Sequence, residues 1–229
     1  MGKLNEHGQE ISTELGGWTP PKMPDHVGLT GCTVRLEPLE RTQHAIPLFH
    51  EFASAPESLW TYMALGPFSD AAELGELIDA MNRNRDSLPY GIFVDGEIRG
   101  VLSYLRVQPD IGSIEIGWIV LSPSMQRSTA STETIFLLLR HAFESGYRRV
   151  EWKCDAFNQK SRDAALRLGF LYEGTFRNAT HYKGRNRDTA WFSMTDDDWV
   201  LQKLVFAKWL SMENFDADGT QRLRLADIR

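Results

Sequence analysis

The chain has 229 residues, 42% of them hydrophobic, enough for one sizeable core or two small ones. A net charge of −6 argues against a nucleic-acid partner, and no apolar run approaches the roughly 18 residues that span a bilayer. Two cysteines, Cys32 and Cys154, are too few for a disulfide framework, and the polar N-terminus lacks the apolar stretch of a signal peptide, so a cytoplasmic protein is expected.

Residues 1–31 are polar and broken by Gly16-Gly17 and Pro20-Pro21, which predicts an arm or tail. Thr33 to Pro38 alternates like a first strand. Helices fit Arg41 to Ala53 and Asp70 to Arg85, the second capped by Ser69 or Asp70. Between them lies an unusually aromatic loop, with Trp60, Tyr62 and Phe68. Strands follow at Tyr90 to Val94 and Gly100 to Val107, then at Ile114. That strand breaks at Ser122-Pro123 and leads into a loop and helix whose residues from Gln126 to Thr134 are mostly Ser, Thr or Ala. A strand near Val150, a helix from Asn158 to Leu168, strands near Leu171 to Phe176 and Thr189 to Thr195, and a closing helix from Asp196 complete the pattern. Lys183-Gly184-Arg185-Asn186-Arg187 reads as a hairpin turn with solvated charges.

The small residues after Pro123 open a helix whose first N–H groups are unpartnered and partly positive, which suits an anion. The same residue types also cap helices in any protein, and no Walker or dinucleotide glycine motif is present. The segment one strand further on is more specific. Asn158-x-x-Ser161 followed by Leu168-Gly169-Phe170, with Glu115-Ile116-Gly117-Trp118 before and Glu173-Gly174-Thr175-Phe176-Arg177 after, resembles the GNAT superfamily of N-acyltransferases, in the RimJ/RimL-type branch. The resemblance covers roughly residues 33 to 199.

It implies an α/β (α+β) single domain over residues 32–200 with a mixed, splayed central sheet, leaving 201–229 as helix end and polar tail. It also implies acetyl-CoA as cofactor. Its pyrophosphate would lie on Gln126, Arg127, Ser128, Thr129, Ala130, Ser131 and Thr132, with further contacts at Trp118, Ile119, Val120, Asn158 and Ser161. Thr129 stands where the family usually has Gly, which removes access to positive φ and adds a Cβ near the phosphates.

Acyl transfer to nitrogen needs a neutral amine and a place for its proton. Deprotonating a lysine-like amine at pH 7 costs about 4 to 5 kcal/mol, an α-amino group only about 1 kcal/mol, so a strong base matters for the first class alone. Glu115, a charge inside an apolar strand, is the candidate base; pairing with Arg106 on the neighbouring strand is the alternative. Seven residues after Asn158, where the family often has Tyr, stands Ala165, so Ser161 is the candidate donor to the leaving thiol. Trp60, Tyr62, Phe68 and Tyr90 are candidates to line the acceptor pocket, or else core residues. The histidines show no ligand spacing, so no metal is expected.

The leading expectation is an acetyl-CoA-dependent N-acetyltransferase acting on a small-molecule amine or a protein N-terminus. A non-catalytic CoA-binding sensor or scaffold is the alternative. A third reading has the acidic surface and final helix serve a homodimer or partner docking.

Overall fold

A computed structural model describes residues 3–12 and 14–228. A small ladder pairs β1 (Lys3–Leu4) with β2 (Glu10–Ile11). The main body then runs β3 (Leu29–Thr30), β4 (Arg35–Pro38), α1 (Arg41–Ala53), α2 (Ala71–Arg83), β5 (Leu88–Val94), β6 (Glu97–Gln108) and β7 (Ser113–Leu121). It continues with α3 (Thr129–Glu144), β8 (Arg149–Asp155), α4 (Gln159–Leu168), β9 (Leu171–Tyr182), β10 (Arg185–Thr195) and α5 (Asp196–Leu210). Eight strands form one mixed sheet in the order β3-β4-β5-β6-β7-β8-β10-β9, with helices between, as the pattern predicts.

All neighbours are antiparallel except β7 and β8, whose connection through α3 is the crossover a parallel pair requires. Their ladder has register partners only at Ser113–Arg149, Ile114–Val150 and Glu115–Glu151. Beyond it β7 runs to Leu121 and β8 to Asp155 unpaired, so the sheet splays. A bulge lies just beyond the end of the ladder. Between the Gly117–Ser103 and Val120–Val101 pairs β7 carries one extra residue, and Trp118 takes a φ of 54°.

The sheet is covered on two sides. One apolar cluster joins α3, α4 and α5 to Ile114, Ile116, Val150, Trp152 and Phe192. The other joins α1 and α2 to Leu39, Ile98, Val101 and Val120. Asp70 caps α2, its Oδ1 accepting from the Glu73 amide at 2.8 Å, as expected from its place before the apolar period.

Three expectations need correction. The N-terminal segment folds onto the body: Tyr147 Oη donates to the Lys22 carbonyl at 3.2 Å, and a His26 ring nitrogen lies 2.9 Å from the Pro89 carbonyl. The C-terminal stretch is not a free tail, because Leu225 is 2% exposed within the main core. β9 extends well past Phe176, to Tyr182. As the edge strand it is exposed on both faces over most of its length, so its sequence lacks the alternation that would reveal it.

Candidate active site at the splay

The phosphate-loop candidates divide by what their groups already bond. The Gln126 amide donates to the Ser122 carbonyl at 3.2 Å and its side chain to the Leu121 carbonyl at 3.1 Å. The Ser128 amide donates to the Met125 carbonyl, and Ser128 caps α3 by accepting from the Ser131 amide at 3.1 Å. The Ser131 hydroxyl donates back to the Ser128 carbonyl, and the Thr132 hydroxyl accepts from Arg167 Nη2 at 3.1 Å. Ser131 and Thr132 are buried, so they serve packing and capping, and their hydroxyls are not offered to a ligand. Glu133 beside them is buried too, its carboxylate gathering the Cys32 and Thr33 amides and the Thr33 hydroxyl.

Among the described residues, the amides of Arg127, Thr129 and Ala130 have no acceptor. They stand together at the start of α3, where partial positive charge is greatest, and the exposed Arg127 guanidinium lies beside them. The strained position also differs from expectation. Thr129 is the first helical residue and needs no positive φ; Arg127 is the residue held at φ 60°.

On β7 the bulge leaves Trp118 and Ile119 half-buried at the mouth of the splay, whereas the Val120 side chain packs into the α1–α2 core. Val120 can therefore serve a ligand through its backbone alone.

At the closed end of the splay sits a buried charge cluster. Lys153 Nζ lies 2.8 Å from Glu115 Oε2 and 2.8 Å from Glu151 Oε2, with all three side chains about a tenth exposed or less. Arg106 approaches both carboxylates, at 3.8 and 3.6 Å. Arg149 binds Glu151 at 3.0 Å and Glu173 at 2.6 Å. Burial pushes the Glu151 carboxyl up, but Lys153 and Arg149 outweigh it and hold it below the usual range. Lys153 also stands 3.8 Å over the Trp191 ring. The Glu115–Arg106 pairing weighed from sequence is present, joined by a shorter bond to Lys153. Glu115 is thus committed to two cations.

Asp155, at the open end of β8, contrasts with it and was not singled out from sequence. It is 6% exposed, and its carboxylate takes hydrogen bonds from neutral donors, Tyr182 Oη at 2.6 Å and the Phe157 amide at 2.9 Å. No cation lies within ion-pair distance of it among the described residues. Burial, with Asp155 next in effect, pushes the Tyr182 phenol up to about 12, so it is a fixed donor. The signal was legible: in β8, Glu151, Lys153 and Asp155 alternate with Val150, Trp152 and Cys154, placing three charges on one face.

On the other face, Trp152 Nε1 donates to Ser161 Oγ at 3.0 Å. Asn158 caps α4, its Oδ1 accepting from the Ser161 amide at 3.2 Å, which leaves its NH2 group for a ligand. Cys154 is buried as expected; burial raises its pKa and the neighbouring Ser161 hydroxyl lowers it.

Among the acceptor candidates, Tyr90 is fully buried between His26 and Tyr104 and belongs to the core, which corrects its assignment. Trp60 is 3% exposed, held edge-on between Phe52 and Phe68. Trp60 and Phe68 nonetheless line a cavity of about 260 Å³ together with Phe49, Phe52 and Glu57; Tyr62 is half-buried and outside it. The basic hairpin anchors this loop while its Lys183 and Arg185 stay exposed. Lys183 Nζ donates to the Trp60 and Gly66 carbonyls at 2.9 and 2.5 Å, and Arg185 Nη2 to the Thr61 carbonyl at 2.7 Å. The aromatic loop is thereby tied to the strand that carries Tyr182.

The acetyltransferase (GNAT) domain model matches residues 33–171, more than half the chain. The chain belongs to the GNAT acetyltransferase family. A crystal structure of a GCN5-related N-acetyltransferase from Brucella melitensis is 38% identical and covers 93% of this chain and 99% of that one, with a TM-score of 0.89. The ribosomal-protein-serine acetyltransferase of Escherichia coli (strain K12) is 36% identical over 89 residues, 38% of this chain; the match spans about half (49%) of that enzyme. The microcin C7 self immunity acetyltransferase MccE, in complex with acetyl-CoA and AMP, shares the fold at 24% identity, with a TM-score of 0.66 over 72% of this chain and 93% of that one. GNAT acetyltransferases take their acetyl group from acetyl-CoA. The unpartnered amides at the α3 start fit its phosphates, and the open edge of β7 beyond Glu115 fits an extended arm.

Proposed function

We propose that this protein transfers an acetyl group from acetyl-CoA to an α-amino group, at a protein N-terminus or on a small amine. The observation that carries the reading is the splay of β7 from β8 with three acceptorless amides at its phosphate end. The acetyl carbonyl would lie against the backbone of Trp118 to Val120, and Asn158 and Ser161 would face the pantetheine arm and its sulfur.

The α-amino preference follows from the carboxylates. We read Glu115, paired with Lys153 and Arg106, as a structural carboxylate. Asp155, bonded only by neutral donors, is the carboxylate left to receive the amine's proton, directly or through water. The name of the Escherichia coli relative, an acetyltransferase of ribosomal-protein serine, supports a protein acceptor. A cytoplasmic location goes with such an acceptor.

We place a homodimer contact on α5. Val200, Leu201 and Leu204 are 71%, 62% and 64% exposed, with exposed Asp197 and Lys208 on either side. Antiparallel pairing of two copies would set the acid of one against the lysine of the other. Light scattering should give twice the chain mass for the protein and a monomer for Leu201→Glu; a monomeric wild type rejects the contact.

Thiol release from acetyl-CoA with a panel of amines tests the function. A peptide with a free N-terminus should turn over, and its N-blocked form with a free lysine should not. CoA binding without turnover on any amine would instead favour the sensor reading, and absence of CoA binding would remove both.

A further inference from the structure

We infer that Trp152 is a positioning residue for departure of the leaving sulfur, acting through Ser161; this rests on the role proposed for Ser161 above. The indole N–H can only donate, whereas a serine hydroxyl has one proton and two acceptor positions. By donating to Ser161 Oγ at 3.0 Å, Trp152 occupies a lone pair and leaves the hydroxyl proton as the group's outward-facing function. A serine in the first turn of a helix otherwise turns its proton back onto a carbonyl of the preceding turn. The Trp152 ring cannot follow such a rotation, because it is 5% exposed and packed against Phe170 at 5.6 Å.

The Ser161 hydroxyl rests beside the Cys154 sulfur, a thiol that burial pushes toward its neutral form. An oxygen that accepts one hydrogen bond donates its own more strongly, and a charged acceptor roughly doubles the strength. As the C–N bond forms and the C–S bond breaks, the electron pair of the broken bond stays on sulfur. The proton of the attacking nitrogen passes to Asp155 or water, and Ser161 donates a hydrogen bond to the sulfur while keeping its own proton. Trp152 makes that donation available without a reorientation.

The test reads the thiol pKa of protein-bound CoA from its ultraviolet thiolate absorbance, alongside steady-state kinetics. Ser161→Ala should raise that pKa by about 0.5 to 1 unit, Trp152→Phe by a comparable amount, and the double variant by no more than either. kcat should fall about 3- to 10-fold in each, with KM for acetyl-CoA changed by less than about twofold. Site-specific 3-benzothienylalanine at position 152 keeps the bicyclic shape without the N–H and should reproduce the shift even if Trp152→Phe folds poorly. If the ring replacements leave the bound thiol at its wild-type pKa while Ser161→Ala raises it, Trp152 only packs and the inference is overturned. If Ser161→Ala itself has no effect on CoA bound at wild-type affinity, the Ser161 role is wrong and the inference falls with it.

Discussion

Glu115 and Glu151 are register partners at the last rung of the parallel ladder, two carboxylates set side by side where β7 and β8 part. Lys153 bridges them at 2.8 Å to each. Like charges at that spacing would repel in a buried setting, so the bridging cation lets the two strands pair up to this point and diverge beyond it.

Replacing the cation should expose this dependence. Lys153→Met leaves two buried carboxylates with only Arg106 and Arg149 for company and should cost about 3 to 5 kcal/mol of stability. The triple change Glu115→Gln, Glu151→Gln, Lys153→Met should recover most of it, read as the midpoint of urea unfolding. Equal midpoints for Lys153→Met and the parent would mean the bridge contributes nothing.

Arg127 joins a strained backbone to an exposed cation at the α3 start. Arg127→Ala and Arg127→Gly should both weaken CoA about 10-fold, with the loss shrinking at high salt as charge pairing with phosphate predicts. Gly tolerates φ 60°, so the Gly variant should melt at or above the Ala variant. Calorimetric titration and thermal melts check both statements.

Asp155→Asn should lower kcat about 10- to 100-fold on an N-terminal peptide while leaving CoA affinity intact. The loss should shrink as pH rises above the amine's own pKa, because deprotonated acceptor then needs no base. A pH-independent loss would assign Asp155 to structure, through its bond from Tyr182.

The clamp on the aromatic loop predicts a separation of kinetic constants. Lys183→Ala and Arg185→Ala free the Trp60, Thr61 and Gly66 carbonyls and loosen the cavity wall. KM for the acceptor should rise about 3- to 10-fold, with KM for acetyl-CoA unchanged. A matching rise in both would place the clamp's effect on the whole fold.

Stability should fall on mild acidification. Burial lowers the His26 pKa against a hydrogen bond its ring donates to the Pro89 carbonyl, which raises it, and burial lowers that of His141 against Asp25 and Glu144. Both rings face the buried Tyr90–Tyr104 pair. The unfolded chain therefore binds more protons, and the melting temperature should be level above about pH 6.5 and drop as pH falls below it. Gln at both positions should flatten that slope.

How far the sequence carried the site depended on whether a residue's role was local. Asp70 capping α2, the strand–loop–helix around Ser122 to Thr129, and the Asn158/Ser161 turn were legible because period and capping act over three or four residues. Tyr90 was misassigned because an aromatic in a strand reads alike whether it faces a pocket or the core; only the packing of His26 over it decides. β9 was cut short because an edge strand exposed on both faces has no alternation to read.

By itself the sequence determined the order of elements, which follows from hydrophobic period and capping, while the mixed sheet and the coenzyme loop were what the resemblance carried by Asn158, Ser161 and Leu168-Gly169-Phe170 implied. Tertiary structure alone decided which amides stay free, that Lys153 bridges Glu115 to Glu151, and that Tyr182 meets Asp155 and Trp152 meets Ser161. Those outcomes depend on contacts between residues tens of positions apart, and a hydrogen bond or ion pair exists only once folding brings its partners within about 3 Å.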